Sequence, residues 1–437
     1  MHVHLSTNPQ TDMSAVLSRA EMLHSDIEAM GSIIASGDFA APQASVNAPT
    51  DSASLAAIQE LSAQLRTPQL RYLFVVGIGG SNLGTKAIYD ALYGYTDMTA
   101  TDRPHVIFLD TNNDAHLRHC FDSIIPTLTS SEEYVVVTVS KSGGTTETIM
   151  NTELLVAALK EHGHYDATRM VAITDADSAL NEAAAAVGWH RLHIPSQVGG
   201  RYSVFTAVGL FPCALIGVDI EKLLHGAVTM RDACARPEVA HNPAAQSAAY
   251  LALAYEAGHT ICDSFIFHAE LESLGKWYRQ LMGESIGKEK NTRGELVRTG
   301  LTPTVSIGST DLHSVGQLYL GGPKDKVTTF MYSTDTSAAQ SMPAERILPD
   351  VVTMITGKQS AEVRAAIITG TQRTYQANHL PYMEVEFERI DEYELGAFMQ
   401  YKMMEMMYLG ALLEVNPFDQ PNVEAYKTET KRLLEAT

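Results

Sequence analysis

The chain has 437 residues, of which 45% are hydrophobic and 19% are charged, and its formal net charge at pH 7 is −20. This length exceeds what one compact core usually holds, so two or at most three domains are expected. The negative charge argues against a nucleic-acid partner, because nucleic acids are bound by clustered Lys and Arg. An anionic substrate would need local donors to overcome the same repulsion.

Membrane insertion and secretion are not indicated by the sequence. No apolar run reaches the roughly 18 residues that cross a bilayer, and the most apolar stretch, residues 205–218, contains Pro212. The N-terminus lacks the basic start and apolar core of a signal peptide. The four cysteines are scattered, without the paired spacing of a metal site. We therefore predict a cytoplasmic protein with reduced cysteines.

The chain opens with helical apolar spacing over residues 13–34, and the Ala-, Ser- and Pro-rich residues 35–54 are predicted to form a surface connection. Short β-branched segments then alternate with helical ones, which predicts parallel sheets. The predicted strands are residues 72–76, 106–110, 134–140, 170–174 and 191–194, and then residues 264–268, 304–307, 328–332 and 384–387.

These elements predict an α/β fold of two sandwich domains with mainly parallel sheets. The first domain would span residues 60–195. The second, larger domain would combine residues 1–59 with residues 196–437. No exact short-period repeat is present, but the sequence is compatible with the same general layout of strands and helices in its two halves.

A glycine-rich segment, residues 76–84, lies where the first strand should turn into a helix. Glycines there let the backbone approach a ligand, and the helix N-terminus offers free N–H groups. A dinucleotide fingerprint does not fit, because Asn82 stands where a third glycine is needed, and a Walker A loop does not fit the Thr85-Lys86 pair. A purely structural turn explains this segment equally well.

A second loop, residues 140–148, again ends a β-branched strand and opens a helix. Its sequence, Ser-Lys-Ser-Gly-Gly-Thr-Thr-Glu-Thr, contains five hydroxyls and a lysine. Such donors at a helix N-terminus form a cup for a phosphate without a metal ion. The alternative is a helix cap, with Glu147 in a capping box, but capping needs only one or two hydroxyls.

Together with three later segments, these two loops resemble the glucose-6-phosphate isomerase family, in its compact bacterial form, which has the sugar isomerase fold. The five segments occur in order and extend to the C-terminus, which makes the resemblance far more specific than one motif. They are residues 77–84, 140–148, 198–203, 280–288 and 416–427.

The resemblance implies roles for individual residues of this chain. The substrate-binding residues would be Gly80, Ser81, Ser140, Lys141, Ser142, Thr145, Gln280 and Gln420. The catalytic residues would be Glu284, His313, Lys427 and Arg201. The resemblance further implies glucose 6-phosphate and fructose 6-phosphate as substrates, no cofactor and no metal, and a homodimer in which each site takes His313 from the neighbouring chain.

The residues themselves support these roles unequally. Glu284 follows Gly283 after a predicted helix over residues 271–282, where the macrodipole disfavours a carboxylate and so suits a general base. Arg201 follows two glycines and could offer fixed donors to an oxyanion. His313 follows a predicted strand, and Lys427 lies on a predicted C-terminal helix. Without the resemblance, His313 would be interpreted as a structural histidine and Lys427 as a solvated lysine, so their roles depend on the resemblance.

The implied mechanism opens the sugar ring with His313 and Lys427, and Glu284 then moves a proton from C2 to C1 through an enediolate stabilised by Arg201. One departure from the family is Ile286, where many members have a polar residue. This leaves open whether the contacts near the base differ.

Three alternatives stay open at this point. One is dual specificity for glucose and mannose 6-phosphates, which share the enediolate. Another is a non-catalytic phosphosugar regulator, which would not need the four catalytic residues. The third is a metal-dependent isomerase of the cupin type, suggested only by His2-Val3-His4 and His162-Gly163-His164 and requiring an all-β barrel.

Overall fold

The computed structural model describes residues 1–6, 12–94, 97 and 100–436. The strands are β1 His2–Leu5, β2 Tyr72–Val76, β3 His105–Leu109, β4 Tyr134–Val139, β5 Met170–Thr174, β6 His190–His193, β7 Ile261–Ile266, β8 Lys288–Lys290, β9 Leu296–Thr299, β10 Thr302–Ile307, β11 Lys326–Ser333 and β12 Tyr382–Phe387. The helices are α1 Met13–Ala20, α2 His24–Ser36, α3 Ser52–Leu65, α4 Leu83–Leu92, α5 Asp114–His119, α6 Thr146–Glu161, α7 Ala179–Ala186, α8 Ala207–Ile216, α9 Ile220–Cys234, α10 Pro243–Glu256, α11 Glu272–Ile286, α12 Gly316–Gly321, α13 Ser360–Ala377, α14 Glu392–Leu412 and α15 Glu424–Glu435.

The first sheet has the strand order β3-β2-β4-β5-β6, and all of its pairs are parallel. Every residue of β4 is buried, as expected for a strand covered on both faces. The five predicted strands are confirmed, with shifts of about one residue at some ends. Because parallel strands share their direction, the loops that follow β2 and β4 emerge side by side at the carboxyl edge.

The second sheet has the order β1-β12-β11-β7-β10, and only β1 is antiparallel to its neighbour. Its four predicted strands are confirmed, although each begins two or three residues earlier than predicted. In chain order, β7, β10, β11 and β12 are arranged as β2, β3, β4 and β5 are in the first sheet. The two halves therefore share one layout, and the predicted α/β fold of two parallel-sheet sandwiches is confirmed.

The large hydrophobic core joins both halves, and α14 is its central helix. Nearly every residue of α14 is buried. The helix packs closely on α9, because a methyl group built at Gly396 would lie 1.9 Å from the carbonyl oxygen of Leu223. Its buried charges are paired, since Lys402 Nζ donates to both carboxylate oxygens of Glu405 at 3.0 and 2.9 Å. Such pairing is what burial of a charge requires.

Two expectations about the N-terminal region are wrong in detail. The predicted helix over residues 13–34 is divided by a short 3₁₀ turn, Glu21–Leu23, into α1 and α2. The predicted surface connection contains a 3₁₀ helix, Ala44–Thr50, in which residues 44–49 are buried. Small side chains such as Ala and Ser suit close packing as well as solvent, so composition alone misled the prediction.

The predicted domain boundaries at residues 59/60 and 195/196 stay a prediction. Helix α3 crosses the first of them, and the first sheet with its helices lies between β2 and β6. Among the described residues, no helix combines the length and the apolar character needed to span a bilayer.

Candidate active site

The glycine loop after β2 lies against two other predicted site segments. Gly79 has a positive φ of 59°, and a methyl group built there would lie 2.8 Å from Gln280 Nε2. One built at Gly80 would lie 2.2 Å from the carbonyl carbon of Gly200 and 2.6 Å from the nitrogen of Arg201. Only glycine fits at both positions, so the loop is shaped by close backbone approach. Ser81 follows in the same short 3₁₀ turn, Gly79–Ser81, and is half-buried.

The hydroxyl-rich loop after β4 leaves the N-terminus of α6 without a side-chain cap. Thr145 is the N-cap residue, but its side chain makes no capping hydrogen bond. Its hydroxyl instead contacts Ser140 Oγ at 3.0 Å, and Ser142 is exposed beside it. The helix therefore presents N–H groups that an anion could accept. Thr148 lies in the first turn of α6 and has a buried hydroxyl without a hydrogen-bond partner among the described residues.

The side chain of Lys141, a residue of this loop, reaches the segment that follows β6. Its ammonium donates to the carbonyl oxygen of Ser196 at 2.6 Å. Burial lowers the pKa of Lys141 below its ordinary value, and the charge of Asp175 opposes that shift. The lysine thus lies between Ser140 and Ser142 in the chain, and its ammonium is held by a neutral acceptor that does not cancel its charge.

Arg201 is the centre of the site and is only 3% exposed. It lies in a 3₁₀ turn, Gly200–Tyr202. Its Nε donates to Ser285 Oγ at 2.9 Å, and its Nη1 donates to Glu284 Oε2 at 3.2 Å. Tyr202 OH also lies 2.9 Å from Ser285 Oγ. Fixed in this way, the guanidinium is pre-organised to face developing negative charge.

Glu284 lies inside the last turn of α11, because the helix continues to Ile286 rather than ending at Met282 as predicted. Its Oε1 accepts from Gln280 Nε2 at 3.0 Å, one helical turn earlier. The side-chain oxygen of Gln280 is buried and unpaired among the described residues. Ile286 is fully buried, and the apolar residue at this position packs into the hydrophobic core.

Gln420 joins the cluster from the C-terminal segment. Its Oε1 accepts from Arg201 Nη1 at 2.8 Å, and Arg201 Nη2 donates to the carbonyl oxygens of Pro417 and Asp419. The structure therefore brings together Gly80, Arg201, Gln280, Glu284 and Gln420, which are far apart in the sequence. Sequence reasoning gave no role to Tyr202, Ser285 or Lys288. All three belong to the segments that carry the resemblance, and their buried polar contacts could not be read from one sequence.

His313 is not part of this cluster in a single chain. A methyl group built at Gly275 would lie 3.0 Å from Val305 Cγ1, and one built at Gly283 would lie 3.9 Å from Pro303 Cγ. The later residue of α11 thus lies beside the earlier residue of β10, so the helix and the strand run in opposite directions. Glu284 is therefore beside the amino end of β10. His313 is exposed in a 3₁₀ turn after the carboxyl end of the same strand. Residues 303 and 307 alone are separated by about 13 Å along a strand.

Lys427 is also outside the cluster. It is exposed on α15, a helix with no buried residue. Its ammonium pairs with Glu424 Oε1 at 2.7 Å. Within the described part of the chain, none of its hydrogen bonds reaches Arg201 or Glu284.

The histidine pairs considered for metal binding are placed in an α/β fold, so the all-β cupin alternative is wrong. His2 and His4 lie in β1, and His162 and His164 follow α6. Within the described ranges, no group of three or more His, Cys, Asp or Glu side chains is arranged to hold a metal ion.

Comparison with solved structures supports the fold. The chain is similar to a hypothetical protein from Thermus thermophilus, with a TM-score of 0.84, 26% identity and 96% of each chain covered. It is also similar in fold to a glucose-6-phosphate isomerase from Chlamydia trachomatis, with a TM-score of 0.74 and 20% identity over 87% of this chain and 73% of that chain.

Comparison of sequences identifies the family. A glucose-6-phosphate isomerase from Carboxydothermus hydrogenoformans is 32% identical over 87% of this chain and 82% of its own length. One from Shouchella clausii is 33% identical over 88% of this chain and 84% of its own length. The family model described as phosphoglucose isomerase matches residues 62–437. The chain therefore belongs to the phosphoglucose isomerase family.

Proposed function

We propose that this protein is an aldose–ketose isomerase that interconverts glucose 6-phosphate and fructose 6-phosphate in the cytoplasm. The observation that carries the proposal is the contact of Glu284 with Arg201, in which a half-buried carboxylate is held 3.2 Å from a buried guanidinium. A binding protein needs no such base, so this pair argues against the regulator alternative. The relatives named above are themselves glucose-6-phosphate isomerases.

The phosphate group is assigned to the loops after β2 and β4. Ser81, Ser140, Ser142 and Thr145 supply hydroxyls there, and Lys141 supplies charge. The uncapped N-terminus of α6 adds N–H donors. These groups act locally, which lets an anion bind to a chain whose net charge is −20.

The isomerisation step is assigned to Glu284. Its carboxylate removes the proton from C2 of the open aldehyde, and the electrons of that C–H bond form the enediolate. Arg201 stabilises the negative oxygen, the hydroxyl proton of O2 passes to O1, and the proton held by Glu284 returns to C1 to give the ketose. One carboxylate therefore serves both directions, with Gln280 and Gln420 contacting the sugar hydroxyls.

Ring opening requires proton transfer at the ring oxygen and at the anomeric hydroxyl, and we assign it to His313 and Lys427. In a single chain, His313 lies at the other end of β10 from Glu284. We therefore propose a homodimer in which His313 of the partner subunit completes each site. Exposed apolar side chains near this turn, Leu318 and Leu320 on α12, are what an interface would cover.

The proposal is tested by measuring fructose 6-phosphate turnover in a coupled assay that reads glucose 6-phosphate with a specific dehydrogenase and NADP. Turnover is expected, and it should persist with a chelator present. Binding of the sugar phosphate without turnover would favour the regulator, and loss of turnover on chelation would favour a metal-dependent enzyme. A parallel reaction with mannose 6-phosphate distinguishes single from dual specificity.

A further inference from the structure

Lys288 is a buried cation next to the site, and none of the roles assigned above uses it. It is 6% exposed and opens β8, two residues after the end of α11. Its ammonium has three N–H donors. They point to the carbonyl oxygen of Glu284 at 2.8 Å, to Asp419 Oδ1 at 3.0 Å and to the carbonyl oxygen of Asp419. All three donors are therefore satisfied inside the protein.

The first of these contacts fixes the end of the helix that carries the base. The last four carbonyl groups of a helix have no partner within the helix, and lysine side chains often satisfy them. Lys288 does this for the main-chain carbonyl of Glu284. The position of the Glu284 backbone, and with it the reach of the carboxylate, thus depends on Lys288.

The other two contacts fix the segment that carries Gln420. The carbonyl oxygen of Asp419 accepts from both Lys288 Nζ and Arg201 Nη2. The next residue, Gln420, accepts from Arg201 Nη1. One ammonium therefore joins three parts of the site: the base, the guanidinium and the amide contacting the sugar.

The burial of this lysine has an energetic cost that a purely surface role would not explain. Burial lowers the pKa of Lys288 below its ordinary value, and the hydrogen bond to Asp419 works against that shift. Lysines are seldom buried unless they are paired. Here the pair partner, Asp419, has a side chain that is 50% exposed, so the lysine and not the aspartate bears most of the burial.

We infer that Lys288 is a positioning residue for the isomerisation, because its ammonium holds the Glu284 end of α11 and the Asp419–Gln420 segment at a fixed distance. The inference rests on the proposed function. Lys288 does not touch the phosphate loops after β2 and β4. Its loss should therefore lower kcat by a larger factor than it raises KM through Gln420, whereas a general loss of structure would affect both.

The test compares three variants in the fructose 6-phosphate assay. Lys288→Met removes the donors and keeps the length of the side chain, and Lys288→Arg keeps charge and donors. Lys290→Met is the matched control, because Lys290 is exposed on the same strand. Displacement of a base by about 1 Å can cost roughly 100-fold in rate. We expect kcat to fall at least tenfold in Lys288→Met, to recover in Lys288→Arg and to stay at the wild-type value in Lys290→Met.

A wild-type kcat in a folded Lys288→Met variant overturns the inference, and so does a rise in KM that accounts for the whole loss. If Lys288→Met does not fold, Asp419→Asn is the second test of the inference, because it weakens the ion pair of Lys288 with Asp419 at a half-exposed position. That variant should lower kcat by a larger factor than it raises KM, and a wild-type kcat overturns the inference. An inactive wild-type enzyme would instead overturn the proposed function, so the two failures are distinguishable.

Discussion

Glu284 is oriented through both of its carboxylate oxygens, one bonded to Arg201 and the other to Gln280. These contacts set the direction of the lone pairs without neutralising the group in a dry ion pair, since the glutamate side chain is 34% exposed. A base that must take and return one proton needs this combination of fixed geometry and access to substrate.

Replacing Glu284 with Gln should abolish isomerisation and leave sugar-phosphate binding intact. The amide keeps an acceptor for Arg201 but has no basicity, so kcat should fall by roughly 10²–10⁴. Steady-state kinetics and calorimetric titration with fructose 6-phosphate measure the two effects. Glu272→Gln, at the opposite end of the same helix, is the control and should behave as wild type. A Glu284→Gln kcat within about tenfold of wild type would contradict the assignment.

The hydroxyls of the loop after β4 should act on binding rather than on the chemical step. Phosphate does not react, so its contacts are equal in the ground and transition states. The double variant Ser142→Ala, Thr145→Ala loses two hydrogen bonds to a charged group, each worth about 1.5–3 kcal/mol. We expect KM to rise at least tenfold with kcat little changed. An unchanged KM in the same steady-state assay would mean that the phosphate site has been misplaced.

At the scale of the elements, the site is formed where two strand-to-helix turns meet. The turn after β2 and the 3₁₀ turn of Arg201 approach so closely that Gly80 has no space for a side chain. This contact transmits any change in the glycine loop directly to the backbone nitrogen of Arg201. The same loop touches Gln280 through Gly79, so it also supports α11.

Gly80→Ala should therefore displace Arg201 and reduce activity. The added methyl group would lie 2.2 Å from the carbonyl carbon of Gly200, and overpacking of this kind costs typically about 1–3 kcal/mol. Gly370→Ala is the control, because nothing lies within 4 Å of a methyl group built at this exposed position of α13. The free energy of unfolding, measured with urea, and kcat/KM should both fall for Gly80→Ala. Neither quantity should fall for Gly370→Ala. Equal behaviour of the two variants would show that the close approach is unimportant.

The elements could be predicted from the sequence where local chemistry decides them. The predicted strand 134–140 contains a continuous β-branched run, residues 135–139, and such runs are typical of buried parallel strands. The end of α11 could not be predicted in this way. Gly283 and Gly287 both resemble stop signals, but the helix continues past the first to Ile286, and Lys288 binds the carbonyl oxygen of Glu284 from outside the helix, a contact that the local sequence does not show.

The site was partly predictable for the same reason. Loops that bind through backbone and hydroxyl groups have a local signature, so the segments around Ser81 and Ser142 are visible in the sequence. The partners of Arg201 are not, because Gln420 and Arg201 are separated by 219 positions. Only the resemblance linked them, and it could not show that Ile286 points into the core.

At the scale of the whole molecule, the two halves have the same strand layout but carry different parts of the proposed site. The first sheet carries, at its carboxyl edge, the loops to which we assign the phosphate, and the second half carries α11 with Glu284, the proposed base, near its C-terminal end. The carboxyl edge of the second sheet carries His313 away from that base. In a closed two-fold dimer, one such edge can reach the site of the other chain, and symmetry makes two equivalent sites.

This arrangement predicts that two inactive variants restore activity when they are combined. Arg201→Ala damages the site of its own chain, whereas His313→Ala damages the site of the partner. In a mixed dimer, one site then carries both lesions and the other carries neither. Random pairing of equal amounts gives half mixed dimers with one intact site each, so about a quarter of wild-type activity should return.

The measurement is to unfold, mix and refold the two variants, to confirm mixed dimers by native mass spectrometry, and to assay fructose 6-phosphate turnover. Each variant refolded alone is the control and should stay nearly inactive, because every one of its sites carries a lesion. If mixed dimers form and remain as inactive as their parents, His313 acts within its own chain. Action within its own chain would require His313 to move past the length of β10 to reach Glu284, since the two lie at opposite ends of that strand.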